Sequence, residues 1–206
     1  MEDLSDRELW ADAAAGSDAS FGALFERHAS AVYNYCFRRT ADWAAAEDLM
    51  AATFLEAWRK RDQVRLTGNS LRPWLYGVAT NLLRNQRRSN RRREAALARV
   101  RQEVAHRGLA DDVASRIDDE REMRRLLKLI SEMPVRNQDV IALVVWSELS
   151  YEEAATALGV RIGTVKSRLA RARKKLAELA DRSGHSHSDS NALARASETE
   201  PREVEG

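Results

Sequence analysis

Residues 150–175, SYEEAATALGVRIGTVKSRLARARKK, predict two helices that are joined by a tight turn. Ser150 and Glu153 have the spacing of a capping box, in which each side chain satisfies a backbone N–H at the start of a helix. Gly159 supplies the left-handed residue that ends such a helix. The second helix carries cations and an apolar stripe of Val165, Leu169, Ala172 and Leu176. The pattern is typical of a helix-turn-helix, which places its second helix in the major groove of DNA, although a helical hairpin with a solvated basic face would share it.

The charge of the chain is nearly balanced, at +2 for 206 residues, but it is unevenly distributed. Residues 84–107 contain nine Arg against two Glu, and residues 161–182 contain eight Lys or Arg against two acidic residues. Two separate basic segments predict two contacts with a polyanion, which we interpret as nucleic acid.

The composition argues against several other classes of protein. Cys36 is the single cysteine, so we expect neither a disulfide framework nor a thiolate metal site. The N-terminus is acidic and no apolar run approaches the length of a membrane span, which predicts a cytoplasmic protein without membrane insertion. The sequence shows no nucleophile–base set and no cluster of metal ligands, so we expect no enzymatic activity, no metal and no cofactor. His28 lies on an apolar helix face, where we interpret it as a packing residue.

The spacing of apolar residues predicts an all-α fold of two small helical domains. We expect a first domain in residues 1–95, a charged linker in residues 96–120, and a second domain in residues 121–182 that ends in the helix-turn-helix. The helices predicted for the first domain are residues 6–15, 21–39, 43–60 and a fourth that begins near residue 72. Residues 183–206 lack the apolar content needed to fold, so we expect a disordered tail there.

The order of these motifs resembles that of the sigma-70 family of bacterial RNA polymerase initiation factors, and specifically of its short extracytoplasmic-function (ECF) class. AEDLMAATFLEAWR (residues 46–59) resembles region 2.2 of that family, and RPWLYGVATNLLRNQRR (residues 72–88) resembles its regions 2.3 and 2.4. Residues 126–179 resemble region 4, in which GTVKSRLARAR is the most specific piece. The resemblance implies a sigma factor that binds core RNA polymerase and directs promoter-specific, DNA-templated transcription initiation. Such a factor recognises the −35 and −10 promoter elements and aids the melting of the −10 region.

The resemblance also implies that region 2.2 docks on a coiled coil of the largest polymerase subunit. The residues at the corresponding positions are Asp48, Leu49, Phe54 and Trp58. An acidic residue beside exposed apolar side chains would form a protein-docking patch, but core packing is the alternative for the two aromatic residues. Relatives often carry Gln where this chain has Ala51.

For the −10 element, the resemblance assigns the non-template strand to the loop of residues 62–69 and to the helix after it. The implied contacts are Asp62, Val64, Asn69, Trp74, Asn81, Arg84, Arg87 and Arg88. The arginines would bind phosphate, whereas Trp74 either stacks on a base or packs in the helical core. Relatives frequently place an aromatic residue where this chain has Val64.

For the −35 element, the resemblance assigns the second helix of the helix-turn-helix. The implied contacts are Arg161, Thr164, Lys166, Ser167, Arg168, Arg171 and Arg173. We expect Lys166, Arg168 and Arg171 to contact the major groove, where an Arg paired with guanine contributes ~1–3 kcal/mol of discrimination. Arg173 is assigned either to phosphate or to a pair within its own domain. Arg161 stands where a small capping residue is usual, so we expect the helix start to depend on Thr164 or on DNA phosphate for its caps.

Two other functions stay open at this point. A stand-alone transcriptional regulator with a similar helix-turn-helix would form dimers and read a two-fold DNA site without polymerase. A helical adaptor that binds only protein is the second alternative. Neutralisation of DNA phosphates makes binding depend steeply on salt concentration, so a weak salt dependence of DNA binding would favour the adaptor. Two domains on a charged linker also suit control by a partner that prevents both from engaging at once, and the resemblance implies an anti-sigma factor in that role.

Overall fold

The computed structural model describes residues 4–66, 68–97 and 114–183. The regular elements of these residues are all helices: α1 (Asp6–Ala14), α2 (Asp18–Thr40), α3 (Trp43–Lys60), α4 (Arg72–Leu97), α5 (Ala114–Ile130), α6 (Val135–Val140), a π-helix (Ile141–Trp146), α7 (Tyr151–Leu158) and α8 (Ile162–Ser183). The predicted all-α fold is therefore confirmed. Most of the predicted linker, and the predicted tail from residue 184 onward, lie outside the described residues.

Side-chain caps fix the ends of the helices that the sequence marks most clearly. Ser150 and Glu153 form the predicted capping box at α7, in which the Ser150 N–H donates to Glu153 Oε2 over 2.9 Å. Gly159 follows α7 with a φ of 62°, in the left-handed region that favours glycine. Ser5 and Glu8 form a second capping box at the start of α1. The local signals of the sequence thus become the observed helix boundaries.

In the first domain, α1 to α4 pack around aromatic residues of α2 and α4. Tyr35 and Tyr76 are both buried, with ring centroids 5.0 Å apart. The Tyr35 hydroxyl lies 2.6 Å from the Thr80 hydroxyl, so the buried phenol keeps a hydrogen-bond partner. Burial raises the pKa of Tyr35 to about 12. Burial also raises the pKa of the neighbouring Cys36 to about 12, which keeps this thiol protonated and unreactive.

The second domain contains an unusual segment, a π-helix of six residues between α6 and α7. It follows α6 directly and covers most of the apolar run at residues 140–145. At its end, the Trp146 carbonyl accepts a hydrogen bond from Arg38, and the Ser147 carbonyl accepts one from Arg72 over 3.0 Å. Guanidinium groups of the first domain therefore satisfy carbonyls that this helix end leaves without a helical partner.

The two domains pack directly on each other. Helix α4 approaches α7 so closely that a Cβ on Gly77 would lie 2.7 Å from the Ala157 carbonyl oxygen. The carboxylate of Asp139, which is 0% exposed, bridges Arg39 and Arg84 of the first domain. Apolar residues of both domains form one continuous cluster, and a smaller cluster belongs to the second domain alone. The contact between the domains is thus both apolar and ionic.

Candidate nucleic-acid interface

Helix α8, the second helix of the helix-turn-helix, presents a cationic face to solvent. Its apolar stripe is buried, since Val165 is 0% and Leu169 is 2% exposed. Of the predicted −35 residues, the exposed ones are Arg161, Lys166, Ser167 and Arg171, and the half-buried ones are Thr164, Arg168 and Arg173. Burial of one stripe therefore directs Lys166 and Arg171 toward solvent, whereas Arg168 borders the stripe.

Several contacts order this face in the absence of a ligand. The Arg171 guanidinium donates to the carbonyl and to the hydroxyl of Ser167, each over 3.2 Å. The Lys166 ammonium lies 5.3 Å from the centroid of the Tyr151 ring, a cation–π distance. The Arg161 carbonyl accepts the backbone N–H of Thr164 over 2.8 Å, so its main chain starts the helix. Side chains ordered in this way have less conformational freedom to lose when a ligand binds them.

The predicted −10 loop connects α3 to α4 and lies beside the second domain. Of the predicted −10 residues, the exposed ones are Asp62, Asn69, Asn81 and Arg88, and the half-buried ones are Val64, Trp74, Arg84 and Arg87. A cavity of about 500 Å³ lies between Asn69 and Trp74 on one side and Glu152 and Glu153 of α7 on the other. The acidic first turn of the helix-turn-helix thus faces the loop that is predicted to hold DNA.

Two of the arginines predicted to bind −10 phosphates contact the second domain instead. Arg84 donates to Asp139 Oδ2 from Nε over 3.0 Å and from a terminal nitrogen over 2.7 Å. Arg87 donates to the side-chain oxygen of Gln138 over 3.3 Å and to the Arg39 carbonyl over 3.1 Å. In this arrangement, these two guanidinium groups hold the domains together, which the sequence interpretation of the arginine run did not include.

Their partners, Asp139 and Gln138, are functional residues that the sequence interpretation missed. They belong to a triplet, NQD at residues 137–139, in which all three side chains are buried just before an apolar run. Buried polar groups require partners, so three polar residues at the start of such a run are a readable signal. The signal does not identify the partners of these residues. Those of Asp139 are Arg84, 55 residues away, and Arg39, 100 residues away.

The predicted polymerase-docking residues on α3 divide between the surface and the core. Asp48 is exposed, whereas Leu49 and Phe54 are 6% and 4% exposed and pack in the core. The exposed apolar side chain of this helix is Leu55, which is 51% exposed and lies seven residues, or about two turns, after Asp48. Sequence analysis missed Leu55, although an apolar residue outside the apolar stripe of an amphipathic helix is a usable signal.

The fourth predicted docking residue, Trp58, lies at the edge of the same surface. Its half-buried ring meets the Phe21 ring at a centroid distance of 4.9 Å, and the Arg61 guanidinium covers it at 3.7 Å. Trp58 therefore belongs partly to the core, and its other face is occupied by a cation of its own chain. Ala51, where relatives often carry Gln, is exposed.

Asp6 of α1 is a buried carboxyl with a strongly shifted pKa. Burial alone would raise the pKa of this carboxyl, but hydrogen bonds from His28, from the Leu71 N–H and from Arg27 outweigh that effect and hold the pKa well below its usual value. The carboxylate lies 2.7 Å from His28 Nε2. The interpretation of His28 as a packing residue therefore misses its polar role, which is to hold Asp6.

Two other kinds of site were sought in the part of the chain that the structure describes. Its His, Cys, Asp and Glu side chains form no group of three or more that could hold a metal ion. None of its helices combines the length and the apolarity that crossing a bilayer requires.

Known protein families match both domains. The family Sigma-70 region 2 matches residues 24–93, and the family Sigma-70, region 4 matches residues 123–176. The ECF RNA polymerase sigma factor SigL of Mycobacterium tuberculosis is 33% identical over 159 residues, which cover 76% of this chain and 86% of SigL. Both regions therefore occur here in one chain, in the order in which the sequence resemblance placed them.

Two solved structures of similar proteins share the fold. CnrH, in complex with the cytosolic domain of CnrY, superposes with a TM-score of 0.65 at 28% identity over 86% of this chain and 97% of CnrH. RpoE of Bartonella quintana, in complex with the anti-sigma factor NepR, superposes with a TM-score of 0.57 at 27% identity over 78% of this chain and 96% of RpoE. Motifs, fold and relatives agree, and the chain belongs to the sigma-70 family of RNA polymerase sigma factors, as a member of its ECF group.

Proposed function

We propose that this chain binds core RNA polymerase in the cytoplasm and directs it to specific promoters, without catalysing a reaction itself. The observation that carries the proposal is the exposed cationic face of α8, on a chain that matches sigma regions 2 and 4 in order. Phosphate contacts supply affinity and base-edge contacts supply specificity, and α8 offers cations for both. Initiation then follows from chemistry that belongs to the polymerase.

The −35 element is the target of α8. Lys166, Arg168 and Arg171 contact the base edges of the major groove, since Lys166 and Arg171 are exposed and Arg168 borders the buried stripe with part of its side chain at the surface. Arg161 and Arg173 contact the flanking phosphates, which position the helix without reading the sequence. Thr164 and Ser167 complete this surface as smaller polar contacts.

The −10 element is the target of the loop that includes Asp62, Val64 and Asn69 and of the exposed face of α4. Asn69 and Asn81 are exposed and carry donors and acceptors that match base edges. Trp74 borders the cavity beside the loop, where an unstacked base would find an aromatic surface. Arg88 contacts phosphate in the packed arrangement, and Arg84 and Arg87 do so once the second domain has left them.

Core polymerase is the partner of the exposed face of α3. We assign the contact to Asp48 and Leu55, with Trp58 at its edge, because these side chains reach the surface. Leu49 and Phe54 support the contact from the core by holding the shape of α3. An exposed leucine beside a carboxylate fits a partner surface that offers an apolar groove next to a cation.

The chain works as two binding units, residues 1–95 and residues 121–182, which residues 96–120 connect. Tethering raises the effective concentration of the second contact once the first has formed, so neither unit needs high affinity alone. CnrH and RpoE were solved with CnrY and with NepR, respectively. We assign an anti-sigma factor to this chain as well, because a partner that holds the two units together would prevent simultaneous promoter contacts.

In vitro transcription with core polymerase tests this function. The template is a promoter library in which the −35 and −10 segments are randomised, and transcription is compared with and without the chain. We expect transcripts from a narrow set of templates, enriched at two separated segments, only when the chain is present. Transcription that is independent of the chain, or enrichment at a single segment, would contradict the proposal.

A further inference from the structure

The loop that precedes α4 is held at both ends by α1. The Trp10 indole N–H donates to the Val64 carbonyl over 2.8 Å. At the other end, the Leu71 N–H donates to Asp6 Oδ2 over 2.8 Å. Trp10 and Asp6 lie four residues apart, so one face of one short helix makes both contacts.

The side chains that make these contacts are themselves fixed. Trp10 is 3% and Asp6 is 5% exposed, so both hydrogen bonds are shielded from water. Asp6 also accepts from His28 and Arg27 of α2, each over 2.7 Å, which ties α1 to α2. The Trp10 ring lies 5.5 Å from the Trp74 ring in the first turn of α4.

Between the two anchored ends, most of the described loop residues lie at the surface. Arg65, Gly68 and Asn69 are exposed, and Leu66 and Ser70 are half-buried. A cavity of about 390 Å³ separates the loop from α1, and the cavity of about 500 Å³ lies between the loop and α7. Leu66 packs against the core, whereas Arg65, Gly68 and Asn69 are exposed, so the anchored ends fix where these exposed residues lie.

We propose that α1 positions the −10 loop, with Trp10 and Asp6 as positioning residues that present the loop in one conformation to the unwound strand. The inference rests on the proposed assignment of residues 62–69 to the −10 element. Trp10 and Asp6 touch no DNA in this account. They act by reducing the conformational freedom that the loop would otherwise lose on binding.

The test compares Trp10→Phe with wild type in three readouts, made with core polymerase and the library randomised at both promoter segments. Trp10→Phe keeps an aromatic ring in the core and removes only the N–H that holds Val64. We expect discrimination at the −10 segment to fall about three- to tenfold, which is the effect of one hydrogen bond. Discrimination at the −35 segment and affinity for core polymerase stay within about twofold of wild type, the scatter of such a difference measurement. Hydrogen exchange of the Leu71 amide in the free chain becomes faster.

The matched control is the same substitution at Trp43, which stacks on Phe37 at the start of α3. Trp43→Phe leaves −10 discrimination unchanged. Equal losses in all three readouts for Trp10→Phe would mean that α1 only stabilises the domain, and would overturn the inference. Asn69→Ala separates this failure from that of the proposed function. If Asn69→Ala alters −10 discrimination and Trp10→Phe does not, only the positioning role of α1 is wrong. If Asn69→Ala has no effect, the loop does not recognise the −10 element, and both the proposed role of the loop and the positioning role of α1 are wrong.

Discussion

The ion cluster between the domains gives the sharpest quantitative prediction. Asp139 is 0% exposed, and its carboxylate bridges Arg39, which is 2% exposed, and the partly exposed Arg84. Asp139→Asn keeps the size of the side chain but leaves the Arg39 guanidinium buried without a counter-charge. Removing one partner of a buried ion pair costs about 3–5 kcal/mol, and the exposed Arg84 contact adds little.

The chain can avoid this cost by separating its domains, because separation returns Arg39 to water. We therefore expect the variant to shift the equilibrium between packed and separated domains by ~10²- to ~4 × 10³-fold, since each 1.4 kcal/mol is a factor of ten. Energy transfer between dyes on introduced cysteines at Asn34 and Lys174 measures this equilibrium in the free chain. Cys36 does not interfere, because its thiol is buried and its pKa is raised to about 12.

Two further variants show whether the packing between the domains is responsible. Gly77→Ala places a Cβ 2.7 Å from the Ala157 carbonyl oxygen, so it should also separate the domains, without changing any charge. Asp12→Asn removes an exposed carboxylate of α1 and should leave the transfer efficiency unchanged. An Asp139→Asn chain that keeps the wild-type transfer efficiency would refute the reasoning.

Three other predictions concern promoter recognition, polymerase binding and pH. Arg168→Ala should lower −35 discrimination by ~1–3 kcal/mol in library transcription, whereas Lys174→Ala, also on α8, should weaken DNA binding evenly across sequences. Leu55→Asp should weaken the affinity for core polymerase at least tenfold, roughly the effect of no longer burying one leucine side chain at the contact. The melting temperature should stay unchanged, because the Leu55 side chain is 51% exposed in the free chain. The pKa of Asp6 is lower in the folded chain than its value of 3.8 in the unfolded chain. The ionised carboxylate therefore stabilises the fold above pH 3.8, and this stabilisation is lost as the pH falls below that value. Urea titrations between pH 5 and pH 2 should therefore show a smaller pH dependence of stability for Asp6→Asn, and an equal pH dependence in both proteins would contradict the lowered pKa of Asp6.

The helix-turn-helix could be predicted from sequence because its signals are local. The Ser150–Glu153 capping box and Gly159 fix α7, and a stripe of period 3.6 fixes the buried side of α8. The same stripe suffices to predict that Lys166 and Arg171, which lie outside it, face solvent. For the same reason, the boundaries of α7 needed no knowledge of the rest of the chain.

The relations between distant residues could not be predicted in this way. Asp139 meets Arg39 across 100 residues, and Trp10 meets Val64 across 54. Helical periodicity shows that a residue faces the core, but it does not show which helix covers it. The sequence resemblance assigned Phe54 to the docking surface with core packing as the alternative; Phe54 lies in the core, and Leu55, one residue later, reaches solvent.

Promoter binding measured with and without core polymerase tests the central claim most directly. The probes are the duplex promoters that the chain selects from the randomised library, at a fixed and stated salt concentration. We expect the chain alone to be monomeric and to bind these promoters weakly, and sequence-specific binding at two segments to appear when core polymerase is added. A chain that forms dimers and binds a symmetric site tightly by itself, with no gain from polymerase, would contradict the account.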